Sequence, residues 1–247
     1  FKDYHIIPMV AAIWSMPPYE AEQMPLKFFI KFFQNHGLFK IKNRPQWYTI
    51  TNRSKSYVNK ILEKISGEYY KNYTIKKIIR NSHNVKVYYG DETEFFTYDK
   101  VILATHADEA LNLIQEPLKE EEEILSNFKY KKNLAYIHFD ESVMPANKKA
   151  WSSWNSLVEK KSNKNAVTYW LNLLQNLKVK KNIFLTLNPF FKIDEKKIYK
   201  VVEFTHPYYD QKTLNNQGKL KIIQNKKNIL FCGSYFGYGF HEDGIKS

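Results

Sequence analysis

The stretch FCGSYFGYGFHEDGIKS, residues 231–247, decides how the rest of this sequence is read. It continues the run Asn228-Ile229-Leu230-Phe231, which reads as a strand, and it holds four of the eight glycines: Gly233, Gly237, Gly239 and Gly244. Glycine gathers where backbone takes positive φ or must touch something closely. A strand, a glycine turn and a helix start in succession are a way of holding a phosphate or a cofactor. Working outward, a second strand end looks the same: Val101-Ile102-Leu103-Ala104-Thr105-His106. In open α/β sheets ligands lie beyond the carboxyl ends of strands. Small residues at both ends would let a ligand reach backbone. The wholly apolar 101–104 predicts a strand buried on both faces.

Periodicity organises the remainder. The spacing predicts helices over 25–36 and 54–66, the first with Pro25 in its first turn and Gly37 past its end. Leu26, Phe29, Ile30 and Phe33 form one face of that first helix, widened by Phe28 and Phe32, and predict a helix buried on two sides. Strands are expected over 75–79, 85–89, 95–98 and 100–104. Helices follow over 108–114 and 117–128. The Glu120–Glu123 run sits near a helix start, where the dipole favours negative charge. Strands return over 134–139, 150–154, 167–172, 183–188 and 199–204, with a short helix or turn at 173–177. A loop rich in lysine and asparagine spans 160–165. Trp151, Trp154, Tyr169 and Trp170 wall a substrate cavity or form core; the pattern fits both.

Length and charge narrow the function classes. A chain of 247 residues at 43% hydrophobic content can bury a sizeable core. The net charge of +13 suggests nucleic acid or anionic lipid at first sight. Only Arg44, Arg53 and Arg80 are arginines, however, and scattered lysines lack the bidentate fork that reads bases and phosphates. No nucleic-acid partner is expected. With Cys232 alone there is no intrachain disulfide, which is consistent with a reducing compartment such as the cytoplasm. No apolar run is long enough to span a bilayer, which leaves peripheral membrane contact open.

Several chemistries are absent. There is no G-x-G-x-x-G and no G-x-x-x-x-G-K-[ST]. His241-Glu242 lacks the spacing of a zinc protease, and no histidines pair at metal-ligand distance, so no metal is expected. Gly233-Ser234-Tyr235 is not a nucleophile elbow. Cys232 at a strand end reads as a packed thiol. His83 reads as a solvated turn residue. His106 and His241, each just past a marked strand end, are the histidines placed to lie near a ligand.

The sequence resembles flavin-containing amine-oxidoreductases, most closely a bacterial group of FAD-binding proteins often described as amine oxidases. The resemblance is carried by Asn35-His36-Gly37-Leu38, Arg44-Pro45-Gln46-Trp47, Ser54-Lys55-Ser56-Tyr57-Val58 and the run from Val101 to Asp108. It continues through His138-Phe139-Asp140, Met144-Pro145, Ala150-Trp151-Ser152-Ser153-Trp154-Asn155, Thr168-Tyr169-Trp170-Leu171-Asn172, Leu187-Asn188-Pro189 and His206-Pro207. It ends on Gly237-Tyr238-Gly239-Phe240-His241-Glu242-Asp243-Gly244.

It implies a mixed α/β (α+β) fold: part of a Rossmann-like FAD-binding domain, plus a substrate domain of mixed sheet and helices. The implied segments are 1–46 (helical part of the substrate domain), 47–114 (FAD-binding), 115–227 (substrate-domain sheet) and 228–247 (FAD-binding). It implies FAD as cofactor, a small apolar or amine substrate, and hydride transfer to flavin. By resemblance Ile75 looks like the residue near the adenine, and Ala104 and Thr105 like the strand-end contact. Gly233 and Ser234 look like the turn beside the ribityl and pyrophosphate, and Phe240 like the aromatic beside the flavin. Glu242, Asp243 and Gly244 look like a helix start whose amides face the pyrimidine, where a reduced flavin carries negative charge. No catalytic base is implied. The family's dinucleotide motif would lie ahead of Phe1, so the chain is expected to be a fragment that is inactive alone. Where the family often places glycines before the Ser-x-x-Tyr helix, this chain has Asn52-Arg53, and asparagine can adopt left-handed backbone. A non-catalytic flavin-fold module, and a basic protein binding anionic lipid or nucleic acid, are the alternative readings.

Overall fold

A computed structural model describes residues 1–159 and 164–247. Most of the lysine- and asparagine-rich loop, residues 160–163, lies outside the described residues; Lys164 and Asn165 already belong to a strand. A π-helical turn, Lys2–Ile6, leads into α1 (Ile7–Trp14), α2 (Pro18–Ala21), α3 (Leu26–Asn35) and α4 (Ser54–Leu62). Then come β1 (Ile75–Arg80), β2 (Val85–Tyr89), β3 (Glu94–Tyr98), β4 (Val101–Leu103), α5 (Ala107–Leu113) and α6 (Lys119–Leu125). They are followed by β5 (Lys129–His138), β6 (Trp154–Glu159), β7 (Lys164–Trp170), α7 (Leu171–Leu174), β8 (Phe184–Leu187) and β9 (Ile198–Tyr208). The chain closes with α8 (Gln211–Gln217), β10 (Ile229–Phe231) and α9 (His241–Lys246).

The chain divides into two compact units, each built from two segments. The first holds Phe1–Glu63 and Lys131–His206, the second Lys64–Tyr130 and Pro207–Ser247. These breaks differ from the expected 46/47, 114/115 and 227/228.

The first unit is organised on a five-stranded sheet, β6-β7-β8-β5-β9, with antiparallel pairing of β6 to β7, β7 to β8 and β8 to β5. The strand expected over 150–154 is instead a 3₁₀ turn, Lys148–Ala150, and β6 starts at Trp154. Local polar bonds win there. Asn155 Oδ1 accepts from the Ser152 amide at 3.0 Å, and the Trp151 indole donates to the Pro145 carbonyl at 2.7 Å. Trp151 packs edge-on against Trp170, and Trp154 against Tyr169.

Helix α3 forms where its spacing predicts, and Gly37 takes φ +63° past its end. Its buried stripe is Phe28, Phe32 and Phe33, with Trp14 packed on Phe28 and Phe32. Leu26 is 68% exposed and Ile30 37%, so the helix is buried on one side, not two. The i, i+4 pair of phenylalanines, rather than Leu26 and Ile30, meets Trp14. Helix α4 buries no residue. Ahead of it Asn52 and Arg53 both hold positive φ, at +62° and +67°. Asparagine tolerates positive φ, but Arg53, at φ +67° and ψ −176°, holds a region that is strained for any residue with a Cβ.

Inside this sheet lies a polar chain whose connections no local sequence pattern signals. His138, fully buried, receives the Asp140 amide on Nδ1 at 3.1 Å and bonds Thr186 Oγ1 through Nε2 at 2.8 Å. Thr186 in turn bonds Thr168 Oγ1 at 2.8 Å. Burial lowers the His138 pKa from 6.5 to about 4, against the pull of Asp140. Burial disfavours the Asp140 charge. The Asp194 amide, Ser142 and Lys197 outweigh it and hold that carboxyl well below the usual range.

A histidine with a depressed native pKa binds its proton first in the unfolded chain. Stability is therefore complete above about pH 6.5 and falls as the pH drops toward 4. The expected loss is about 2 kcal/mol after discounting for screening. Urea unfolding at pH 7 and near pH 4.5 measures it, and His138→Gln should flatten this pH dependence. An equal slope in the variant would assign the effect elsewhere.

The second unit holds an antiparallel sheet, β1-β2-β3, and a parallel pair, β4 with β10. One core joins them, including Ile78, Val85, Leu103, Leu125, Ile229, Phe231 and Tyr235. The expectation that 101–104 is buried on both faces fails. Ile102 is 63% exposed and Ala104 is exposed, while Leu103 is buried. Among the described residues the parallel sheet has two strands, and the face carrying Ile102 stays exposed. The Glu120–Glu123 run also carries more than helix-start charge. Glu121, on α6, is fully buried against Arg80 at the end of β1.

Candidate functional site

The site singled out in the sequence lies in the second unit, at the carboxyl ends of β4 and β10. Val101 stands opposite Ile229, Ile102 opposite Leu230, and Leu103 opposite Phe231. The Cys232 amide extends the ladder by donating to the Leu103 carbonyl at 3.0 Å. The two strand ends that read alike are therefore neighbours. A Cβ on Gly233 would stand 3.3 Å from the Thr105 carbonyl oxygen. Helix α9 closes on the same point: a Cβ on Gly244 would lie 3.6 Å from the Ser234 nitrogen. The Gly233 amide donates to Ser247 Oγ at 2.8 Å.

Of the implied residues, the structure brings together Thr105, Gly233, Ser234 and Gly244, with Ala104 exposed beside Thr105 and Phe240 37% exposed at the start of α9. Ile75 lies apart on β1, half-buried, and packs against the core cluster that contains Leu103 and Phe231. The helix start differs from expectation in one respect. The Asp243 and Gly244 amides donate to the Phe240 carbonyl at 3.0 and 3.2 Å, and Asp243 Oδ2 accepts the Phe240 amide at 3.0 Å. Two of the three implied amides are thus committed within the chain, and a carboxylate occupies the helix start.

The glycines have partners, and these are the protein's own side chains. A Cβ on Gly237 would meet the Asp243 carboxylate at 2.2 Å. Gly239, at φ +95°, leaves room for the Tyr209 hydroxyl and Pro207. Gln217 Nε2 holds the turn by donating to the Tyr235 and Gly237 carbonyls at 3.0 and 2.6 Å. Gln217 and Tyr209 lack any local pattern that would have marked them in the sequence. The Tyr235 ring fills the space beside Gly233, and its hydroxyl is buried with no hydrogen-bond partner among the described residues.

His106 caps α5 and stacks on Tyr130 at 4.1 Å with the rings 10° apart, while the Tyr130 hydroxyl accepts the Ala107 amide at 3.0 Å. His241 is the exposed first residue of α9. Cys232 is half-buried, and burial pushes its thiol pKa up, as for a packed thiol. Among the described residues no His, Cys, Asp or Glu group could hold a metal, and no helix is long and apolar enough to cross a membrane.

No family model and no curated protein matches the sequence. The fold is similar to solved structures. Cyclohexylamine oxidase from Brevibacterium oxydans IH-35A superposes with a TM-score of 0.60 at 10% identity, over 97% of this chain and 60% of that one. A fatty acid isomerase from P. acnes that produces CLA gives 0.52 at 14% identity, over 78% and 49%. Putrescine oxidase bound to putrescine gives 0.51 at 10%, over 78% and 50%. The chain is thus a mixed α/β fold similar to parts of these solved structures, two of them amine oxidases, and it spans about half to three-fifths of those chains.

Proposed function

We propose that this chain is part of an FAD-dependent oxidoreductase of amine-oxidase type that acts on an apolar or amine-bearing small molecule. The observation that carries the reading is the meeting of two parallel strand ends, with Gly233 beside the Thr105 carbonyl, in a fold similar to cyclohexylamine oxidase over 97% of this chain. When bound, FAD would supply the acceptor for the hydride equivalent.

The residues fit that cofactor in part. Ala104, Thr105 and Ser234 present small side chains, which suits close approach of a ribityl chain, whereas Gly233 gives its amide to Ser247 and the space beside it to the Tyr235 ring. Exposed Ile102 and Phe240 suit the apolar edge of a flat ring system. The second unit would be the Rossmann-like part and the first the substrate domain. Asp243 argues against a fully free helix start, because its carboxylate sits where a negative ring would otherwise be stabilised. In this reading Glu242 and Gly244 would orient the cofactor mainly by shape, and Ile75 would act through the shared core. Contacts to the pyrophosphate would come from a G-x-G-x-x-G outside these residues.

The full gene product, purified in the dark, is expected to carry oxidised-flavin absorbance that bleaches with its substrate. Residues 1–247 alone are expected to bind added FAD more weakly than the micromolar range. A gene product that holds no flavin and takes up none sinks the reading, and tight binding by residues 1–247 sinks the assignment of the pyrophosphate contacts.

A further inference from the structure

We propose that the cavity over β6 and β7 in the first unit binds a compact apolar molecule carrying a neutral hydrogen-bond acceptor, seated on the Thr168 hydroxyl. The inference is independent of the flavin reading. The cavity measures about 500 Å³, within the range that holds small organic ligands. Met144, Pro145, Leu157 and Phe191 give it apolar walls.

Nearly every polar side chain that lines it is already committed. Asn155 spends both amide hydrogens on the Ser152 and Thr168 carbonyls, at 2.6 and 3.2 Å. Ser142 donates to Asp140 at 2.8 Å and Ser156 to Asn165 at 2.7 Å. Lys192 is 82% exposed at the rim and pairs with Glu195 at 3.7 Å, so it adds little net charge.

Thr168 is the exception, because of the polar chain behind it. A backbone amide can only donate, so the Asp140 N–H fixes His138 Nδ1 as an acceptor and puts the imidazole proton on Nε2. That proton is donated to Thr186 Oγ1. Two arrangements remain for the pair of threonine hydroxyls. If Thr168 donates to Thr186, the Thr186 hydrogen is left unpaired at a side chain with no exposure. If Thr186 donates to Thr168, the unpaired hydrogen moves to Thr168, which is 4% exposed but lines the cavity, where water or a ligand can accept it. A buried unsatisfied donor is the costly outcome, so the second arrangement wins. The wall thus displays one oriented O–H donor in an apolar setting, which selects a carbonyl or similar acceptor on an otherwise apolar body.

Butyrophenone and butylbenzene, near-isosteres with and without the acceptor, are suitable probes for calorimetric titration of the whole chain at neutral pH. Butyrophenone should bind, and Thr168→Val should weaken it about three- to tenfold, the worth of one hydrogen bond. Thr168→Ser should keep the affinity. Butylbenzene should bind more weakly and be indifferent to Thr168→Val. Leu157→Trp, which fills the cavity from its wall without touching the polar chain, should remove binding of both. Absence of saturable butyrophenone binding, or equal affinity in wild type and Thr168→Val, overturns the proposal.

Discussion

Arg80→Ala should destabilise the second unit by about 3–5 kcal/mol, the usual cost of stranding one member of a buried ion pair. Glu121 has no exposed side-chain surface and Arg80 only 8%. Arg80 Nη2 donates to Glu121 Oε1, and Nη1 donates to the Glu116 carbonyl at 3.0 Å. Glu121 Oε2 accepts the Leu118 amide at 2.9 Å, so the carboxylate also closes the start of α6. Removing the guanidinium leaves that carboxylate in the interior without a counter-charge. The double variant with Glu121→Gln should recover roughly 1–2 kcal/mol, because the amide oxygen still caps Leu118 without a charge to bury. Urea unfolding at neutral pH measures both. A single-variant loss under about 1 kcal/mol would mean that water reaches the pair.

Gly233→Ala is the second large effect, with an expected loss of about 3–4 kcal/mol. Gly233 sits at φ +149°, ψ 168°, a region nearly closed to other residues. A methyl group there would lie 2.7 Å from the Tyr235 ring. That ring cannot step aside: Tyr235 is 2% exposed and packs edge-on against Phe128 at 5.2 Å. Strain and overpacking each cost about 1–3 kcal/mol. Gly218→Ala is the matched control, since a Cβ there meets nothing within 4 Å, and it should be nearly neutral. Comparable melting points for the two variants would refute the account.

The sequence made the paired strand ends legible because both carry the same apolar run followed by small residues, and the parallel pairing of β4 with β10 follows that likeness. Helix and strand periods were readable wherever one element decides its own form, as in α3 and β1 to β3. Which face would be buried was less so. Leu26 and Phe28 look equally apolar in α3, and only the position of Trp14 selects Phe28. Ile102 reads as core because its neighbours are core, yet burial needs a second layer that a strand cannot announce. The glycines signalled close approach without naming the partner, which proves to be Asp243, Tyr209 and Tyr235. That His138, Thr186 and Thr168 bond one another was not legible. They come from three strands far apart in sequence, and each alone is an ordinary strand residue.

The pairing of β4 with β10 also sets a timetable. The two strands are separated by about 130 residues, and a ribosome adds about 5–20 residues per second. Val101–Leu103 therefore waits on the order of ten seconds for its partner, longer than most collapse and hairpin steps take. During that interval an apolar strand with unpaired amides stands in the nascent chain, a template for association with other chains. Slower growth at low temperature and co-expressed holdase chaperones should therefore raise the soluble yield more than any change at the surface lysines.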